Sequence, residues 1–169
     1  MPYDSSSGRP VRLERGDGAV ELAFGPSGPG NGLRHLYQCD PCRVLFPDPE
    51  PGEPPQAILV TTSGGVTDGD TLGMAVEVGA GATAIAATQA AEKIYRSDGP
   101  VSRIANTLTL GEGAGLAWLP QETILFDGAA LNRSITAELA ETARFVAVES
   151  VILGREASGE TVVVSAAAG

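Results

Sequence analysis

Three observations predict an all-β chain, a stacked or flattened β-helix-like or sandwich arrangement of short strands with little helix. From Thr71 onward the apolar residues alternate with a period of two, Leu72, Met74, Val76 and Val78 on one face and Glu77 opposite. No segment longer than a few turns carries a 3.6-residue period, and only Gln89–Arg96 reads as a short helix. A strand, small-residue turn, strand pattern recurs at Val78–Ala82, Leu110–Ala114 and Leu139–Ala143, with starts 32 and 29 residues apart. That spacing is the range of repeating structural units.

Taken in order, residues 1–8 read as a disordered start and residues 9–169 as a single β domain. Val11–Arg15 and Ala19–Phe24 flank Gly16-Asp17-Gly18, a hairpin signal. Gly25–Gly32 is a glycine- and proline-rich loop, and Leu33–Gln38 and Arg43–Phe46 are short extended pieces split by Cys39-Asp40-Pro41-Cys42. Five prolines in the nine residues Pro47–Pro55 exclude a helix or a central strand there. Ala57–Thr61 reads as a compact buried strand. The Thr62–Asp70 segment that follows turns sharply, through positive φ at its glycines. It lacks both the spacing and the lysine of a phosphate-binding loop, and no helix signal follows it.

Aligned on their leading apolar residues, the three repeats continue into Thr83–Ala87, Gly115–Leu119 and Arg144–Val148. Polar residues then recur at matched offsets: Thr88-Gln89, Pro120-Gln121 and Glu149-Ser150 after ten and eleven places, and Tyr95, Asp127 and Glu156 after seventeen. Stacked coils would turn each offset into a column of neighbours about 5 Å apart. Strand ends at the rim of any sheet would produce similar polar clusters. Leu119–Gly128, LPQETILFDG, concentrates Gln121, Glu122 and Asp127 in a stretch otherwise suited to burial. A buried unpaired charge costs several kcal/mol, so these acids are either solvated at a strand end or part of a polar site.

The formal charge of −10 argues against a nucleic-acid partner and fits a cationic one, whether a metal ion or a basic protein surface, although plain solubility is the better explanation of the charge taken alone. Aromatic residues are 5% of the chain, so the core is built from Val, Leu, Ile and Ala. Met1–Pro10 is polar, and there is no run of about 18 apolar residues, which points to a cytoplasmic protein with no membrane partner. His35, Cys39 and Cys42 form H-x3-C-x2-C, which resembles half of a metal site; a closed tetrahedral site needs a fourth ligand, and an incidental spacing is preferred over a redox or a metal role.

Four ordered blocks resemble the urease accessory protein family UreD, also called UreH: TTSGGVTDGD at 61–70, ATQAAEKIYRS at 87–97, WLPQETILFDGA at 118–129 and LGREASGE at 153–160. The resemblance covers roughly residues 10–160. It implies a predominantly β fold with a β-helix-like stack, and a chaperone role without catalysis. It also implies a complex with urease apoenzyme, a helical UreF-like protein and a UreG-like GTPase, delivering nickel to a bimetallic site on a carbamylated lysine. On the matched positions, Asp70, Glu122, Asp127 and Glu149 are the candidate nickel-path residues, with Gln89 and Gln121 supporting and Arg96 and Arg155 as charge partners. No tightly bound cofactor is implied, only transient Ni²⁺. Family members carry a further stretch after the last block, whereas this chain ends soon after Thr161–Ser165, which implies a truncated C-terminus with an exposed Val-rich edge. Cys39-Asp40-Pro41-Cys42 also departs from the family's usual sequence.

Two other functions compete. A carbohydrate-processing β-solenoid enzyme would use Glu122 and Asp127 as its carboxylate pair, but it needs two carboxyls about 5–10 Å apart and aromatic sugar platforms, and only Trp118 is near. A passive interaction module, the truncated remnant of the accessory protein, would bind partners without metal sensitivity.

Overall fold

The computed structural model describes residues 15–28, 30–154, 159 and 162. The described chain forms strands β1 (Asp17–Ser27), β2 (Gly30–Cys39), β3 (Cys42–Leu45), β4 (Gln56–Thr61), β5 (Thr71–Val78), β6 (Thr83–Thr88) and β7 (Glu92–Ile94). They are followed by β8 (Ser102–Leu110), β9 (Gly115–Leu119), β10 (Thr123–Leu125), β11 (Leu131–Leu139), β12 (Arg144–Ala147) and β13 (Val151–Leu153). No helix occurs among the described residues, so the fold is all-β as expected.

Three sheets wrap one core. The first side runs β11-β8-β5-β1-β2, the second β12-β9-β6-β4-β3 and the third β13-β10-β7. Strands β5-β6-β7, β8-β9-β10 and β11-β12-β13 are therefore three successive coils of a parallel β-helix, each coil contributing one strand to each side. An incomplete coil precedes them, with β1 on the first side, β4 on the second and the Val66–Ile94 bridge on the third. Antiparallel β2 and β3 finish the first and second sides at that end.

The repeat seen in the sequence is the coil. Val78, Leu110 and Leu139 are register partners, as are Thr83, Gly115 and Arg144. Between them lies the same tight turn three times, closed by Ala82 N–H to Gly79 O, Ala114 N–H to Gly111 O and Ala143 N–H to Ala140 O, each 3.0 Å. Small residues suit this bend because adjacent coils touch backbone to backbone. A Cβ on Gly111 would stand 2.9 Å from the Ala80 nitrogen. Alternation then sends Leu72, Met74, Val76 and Val78 inward with Ile104, Leu108 and Leu110 beside them, and Ala84, Ala86, Leu116 and Trp118 opposite. A fully buried side chain of this size contributes about 1.5–3 kcal/mol, so this apolar interior dominates stability.

Register on the third side departs from the matched offsets. From Thr83 to Glu92 is nine residues, from Gly115 to Thr123 eight, and from Arg144 to Val151 seven. Each successive coil sheds one residue at this corner, so the column of Tyr95, Asp127 and Glu156 does not form. Tyr95 instead meets Phe126, with ring centroids 5.1 Å apart, and Arg96 meets Asp127. Glu156 lies outside the described residues.

Three local expectations are also corrected. Asp17 and Gly18 are not a hairpin turn but open β1, paired with Thr71 and Leu72 of β5. Gln89–Arg96 is a loop leading into strand β7, because pairing with β10 and complete burial of Ile94 outweigh the helix preference of Ala, Glu and Lys. Gly25–Gly32 is the end of a hairpin rather than a loop: β1 and β2 pair through Ser27 and Gly30, around Gly28 at φ 56°. Pro26 is tolerated because β5 pairs with β1 only as far as Phe24, so no ladder partner is lost on that side. The Pro47–Pro55 stretch is free of strand, and Gly65 and Gly69 turn through positive φ as expected, joined by Asp68, which was not expected to. The segments 1–8 and 11–14, and Thr161–Ser165 except for half-buried Val162, lie outside the described residues.

Candidate functional site

The corner that varies between coils also opens a cavity. In the first coil its nine-residue span leaves a space of about 330 Å³ between the end of β4 (Leu59–Thr61), the Ser63–Gly65 turn, the Thr88–Ala91 loop and Glu92-Lys93. Glu92 opens β7, where its N–H donates to Glu122 O at 2.9 Å. Its carboxylate accepts from the Thr61 hydroxyl at 3.0 Å. Burial pushes the Glu92 carboxyl above the usual carboxylate range, opposed by the Thr61 hydrogen bond and the Arg133 charge. The site thus presents a single desolvated carboxyl, with the Thr61 hydroxyl against it and Thr88 and Gln89 in the same wall.

In the last coil, Arg133 on β11 pairs with Glu149, which follows the end of β12 and is exposed. Arg133 donates to Glu149 Oε1 from Nε at 2.9 Å and from Nη2 at 2.7 Å. Its register partners on the first side are Ile104 and, one coil further, Leu72. The last coil thus has an arginine where the other two have Leu72 and Ile104.

The remaining predicted residues occupy separate positions. Asp70 accepts Gly16 N–H at 2.8 Å on Oδ1 and Thr67 N–H at 2.9 Å on Oδ2, which ties the loop after β4 to the approach to β1. Asp127 pairs with Arg96, whose guanidinium lies over Gly128. Glu122 is half-buried beside β10, Gln121 is exposed with its N–H on Thr88 Oγ1 at 2.9 Å, and Gln89 lines the cavity. Arg155 lies outside the described residues. Among the described residues, no three His, Cys, Asp or Glu side chains are grouped so as to hold a metal ion.

The H-x3-C-x2-C residues do not converge either. His35 pairs with Glu21 at 3.7 Å on the outer surface, while Cys42 is fully buried at the start of β3. Four residues along a strand put His35 about 13 Å from Cys39. Burial pushes the Cys42 thiol up to about 11, so it is neutral near pH 7 and not a ready metal ligand.

Glu92, Arg133 and Asp68 were missed by sequence reasoning. Alternation of Leu131, Arg133 and Ile135 along β11 marks Arg133 as inward-facing. Asp68, at φ 45°, accepts from Ser97 Oγ at 2.9 Å and from the N–H groups of Asp98 and Gly99, and these bonds hold its carboxyl below the usual range. A helical reading of Gln89–Arg96 hid Glu92.

The model of the UreD urease accessory protein family matches residues 16–167. The chain belongs to that family. It is 53% identical to urease accessory protein UreD 1 of Methylobacterium radiotolerans over 164 residues, 96% of this chain and 56% of that protein. It is 47% identical to UreD of Methylobacterium sp. (strain 4-46) over 152 residues, 89% of this chain and 54% of that one. UreD of Rhizobium leguminosarum bv. viciae is 41% identical over 163 residues, 96% and 58% of the two chains. The chain spans about half the length of these UreD relatives. Among its described residues no helix is long and apolar enough to cross a membrane.

Proposed function

We propose that this UreD-family chain is a urease maturation factor, a scaffold that binds urease apoenzyme together with a UreF-like helical protein and a UreG-like GTPase and helps deliver nickel. The observation that carries this reading is the family match across residues 16–167, with relatives named urease accessory proteins. The role is one of assembly without catalysis, in the cytoplasm, and nickel is cargo rather than a resident cofactor.

The interior is compatible with such cargo. Ni²⁺ accepts carboxylate and water oxygen, and transfer requires sites that admit the ion yet release it. Glu92 offers one carboxylate with hydroxyl and amide neighbours, far short of a closed cage. It joins Asp70, Glu122, Asp127 and Glu149 as candidate path residues, with Gln89 and Gln121 as neutral neighbours and Arg96 and Arg155 as charge partners. No observation favours the carbohydrate-processing alternative. Asp127, one of its two carboxylates, is engaged by Arg96.

Co-expression of the chain with urease apoenzyme, the helical protein and the GTPase from the same source, followed by pull-down and urease activation, tests the proposal. Recovery of the complex, with activation but not assembly lost in Glu92→Ala or Glu122→Ala, is the expected result. A complex that forms and activates equally well in both variants would overturn the nickel role and leave a passive interaction module. A folded chain that recovers no partner would overturn the scaffold role as well.

A further inference from the structure

The middle coil differs from its neighbours in what it buries. The three buried polar side chains among the described residues, Ser102, Asn106 and Thr123, all lie on β8 and β10 of that coil. Ser102 accepts from Gly69 N–H at 3.2 Å. Two polar atoms of the same coil have no hydrogen-bond partner, Asn106 Oδ1 and Trp118 Nε1. Asn106 is 2% exposed and Trp118 1%.

Both residues face inward, and each is six residues from Glu112 in the turn, so alternation puts them in the same layer of the coil on its first and second sides. Met74 and Ile135 flank Asn106 on its sheet, and Ala86 and Ala147 flank Trp118 on the other. The strand neighbours of both residues in this layer are therefore apolar. Facing sheets pack about 10 Å apart, so side chains from the two sides of one layer approach one another across the interior. One atom is a donor and the other an acceptor, and a buried polar atom left unpaired is destabilising.

We propose that the middle coil contains an internal water site, in which one water accepts from Trp118 Nε1–H and donates to Asn106 Oδ1. The site is independent of the urease reading. A water with two partners that are otherwise orphaned in the core is a fixed part of the structure rather than a visitor.

Trp118 is the sole tryptophan, so its indole N–H gives one side-chain signal in a ¹⁵N-labelled sample of the full chain. A dipolar cross-peak from that proton to water is expected, with the sign of a long-lived complex, and it should vanish in Asn106→Leu while the amide spectrum stays folded. Absence of the cross-peak in the unmodified chain, or its persistence in Asn106→Leu, overturns the proposal. If the variant fails to fold, a crystal structure of the unmodified chain that resolves ordered water decides. Density within hydrogen-bond reach of both atoms supports the site, and a direct Nε1–H to Oδ1 bond refutes it.

Discussion

Replacing Arg133 with leucine, alone and together with Glu149→Thr, tests whether the charged pair clamps the two sides of the last coil. The Arg133 side chain is 18% exposed and that of Glu149 39%, so water partly screens the pair. Hydrogen bonds to charged groups contribute about 1.5–3 kcal/mol when shielded, and exposed pairs about 0.2–1. A coupling of about 1 kcal/mol is therefore expected for this geometry. Each single variant should lose about that much. The double variant extends the Leu72–Ile104 column with leucine, supplies threonine where the first coil has Thr88, and should recover to within about 1 kcal/mol of the original, as replaced ion pairs often do. Urea denaturation of the four proteins closes the cycle. Additive losses, with a coupling below about 0.3 kcal/mol, would refute the idea that the pair joins the sides.

Two further predictions concern the cavity and its rim. Because the folded-state pKa of Glu92 is raised above its reference of 4.5, the folded state holds the proton more tightly than the unfolded chain. Stability from this group is full below pH 4.5 and falls as pH rises through the folded pKa, so Glu92→Gln should be more stable than the original above that window and lose its advantage below it, measured by urea melts from pH 4 to 8. At the rim, Gly65 has φ 147° and a Cβ there would lie 2.7 Å from the Lys93 carbonyl oxygen and against the Tyr95 ring, whereas a Cβ on Gly64 meets nothing within 4 Å. Gly65→Ala should cost about 3 kcal/mol from strain and overlap, and Gly64→Ala less than about 1 kcal/mol, compared by thermal melting.

Much of the fold was legible because two sides of the coil are strictly regular. Thr71 to Thr83, Arg103 to Gly115 and Asn132 to Arg144 are each 12 residues, so alternation and the small-residue turns stay in phase and the repeat could be read directly. Beyond Thr88 the corner shortens coil by coil, and fixed offsets lose the register there. Tyr95 and Asp127 were thus assigned to one column, although the chain sets them against Phe126 and Arg96. The acids were legible as residues but not as partners. Glu149 found Arg133 through the turn that folds one coil back on itself, and Asp70 found backbone N–H groups 54 and 3 residues away. Neither pairing has a local signature.

The shortening corner also separates what can vary from what cannot. A residue added or removed between Thr88 and Glu92 alters the wall of the cavity and the reach of Glu92, while the turn-linked first and second sides keep their hydrogen-bond ladders. Gain or loss of a single codon in that loop is therefore a route by which descendants of this sequence could enlarge, close or re-aim the cavity without redesigning the interior. Elsewhere in the coil the same change would invert the facing of a strand, and selection would remove it.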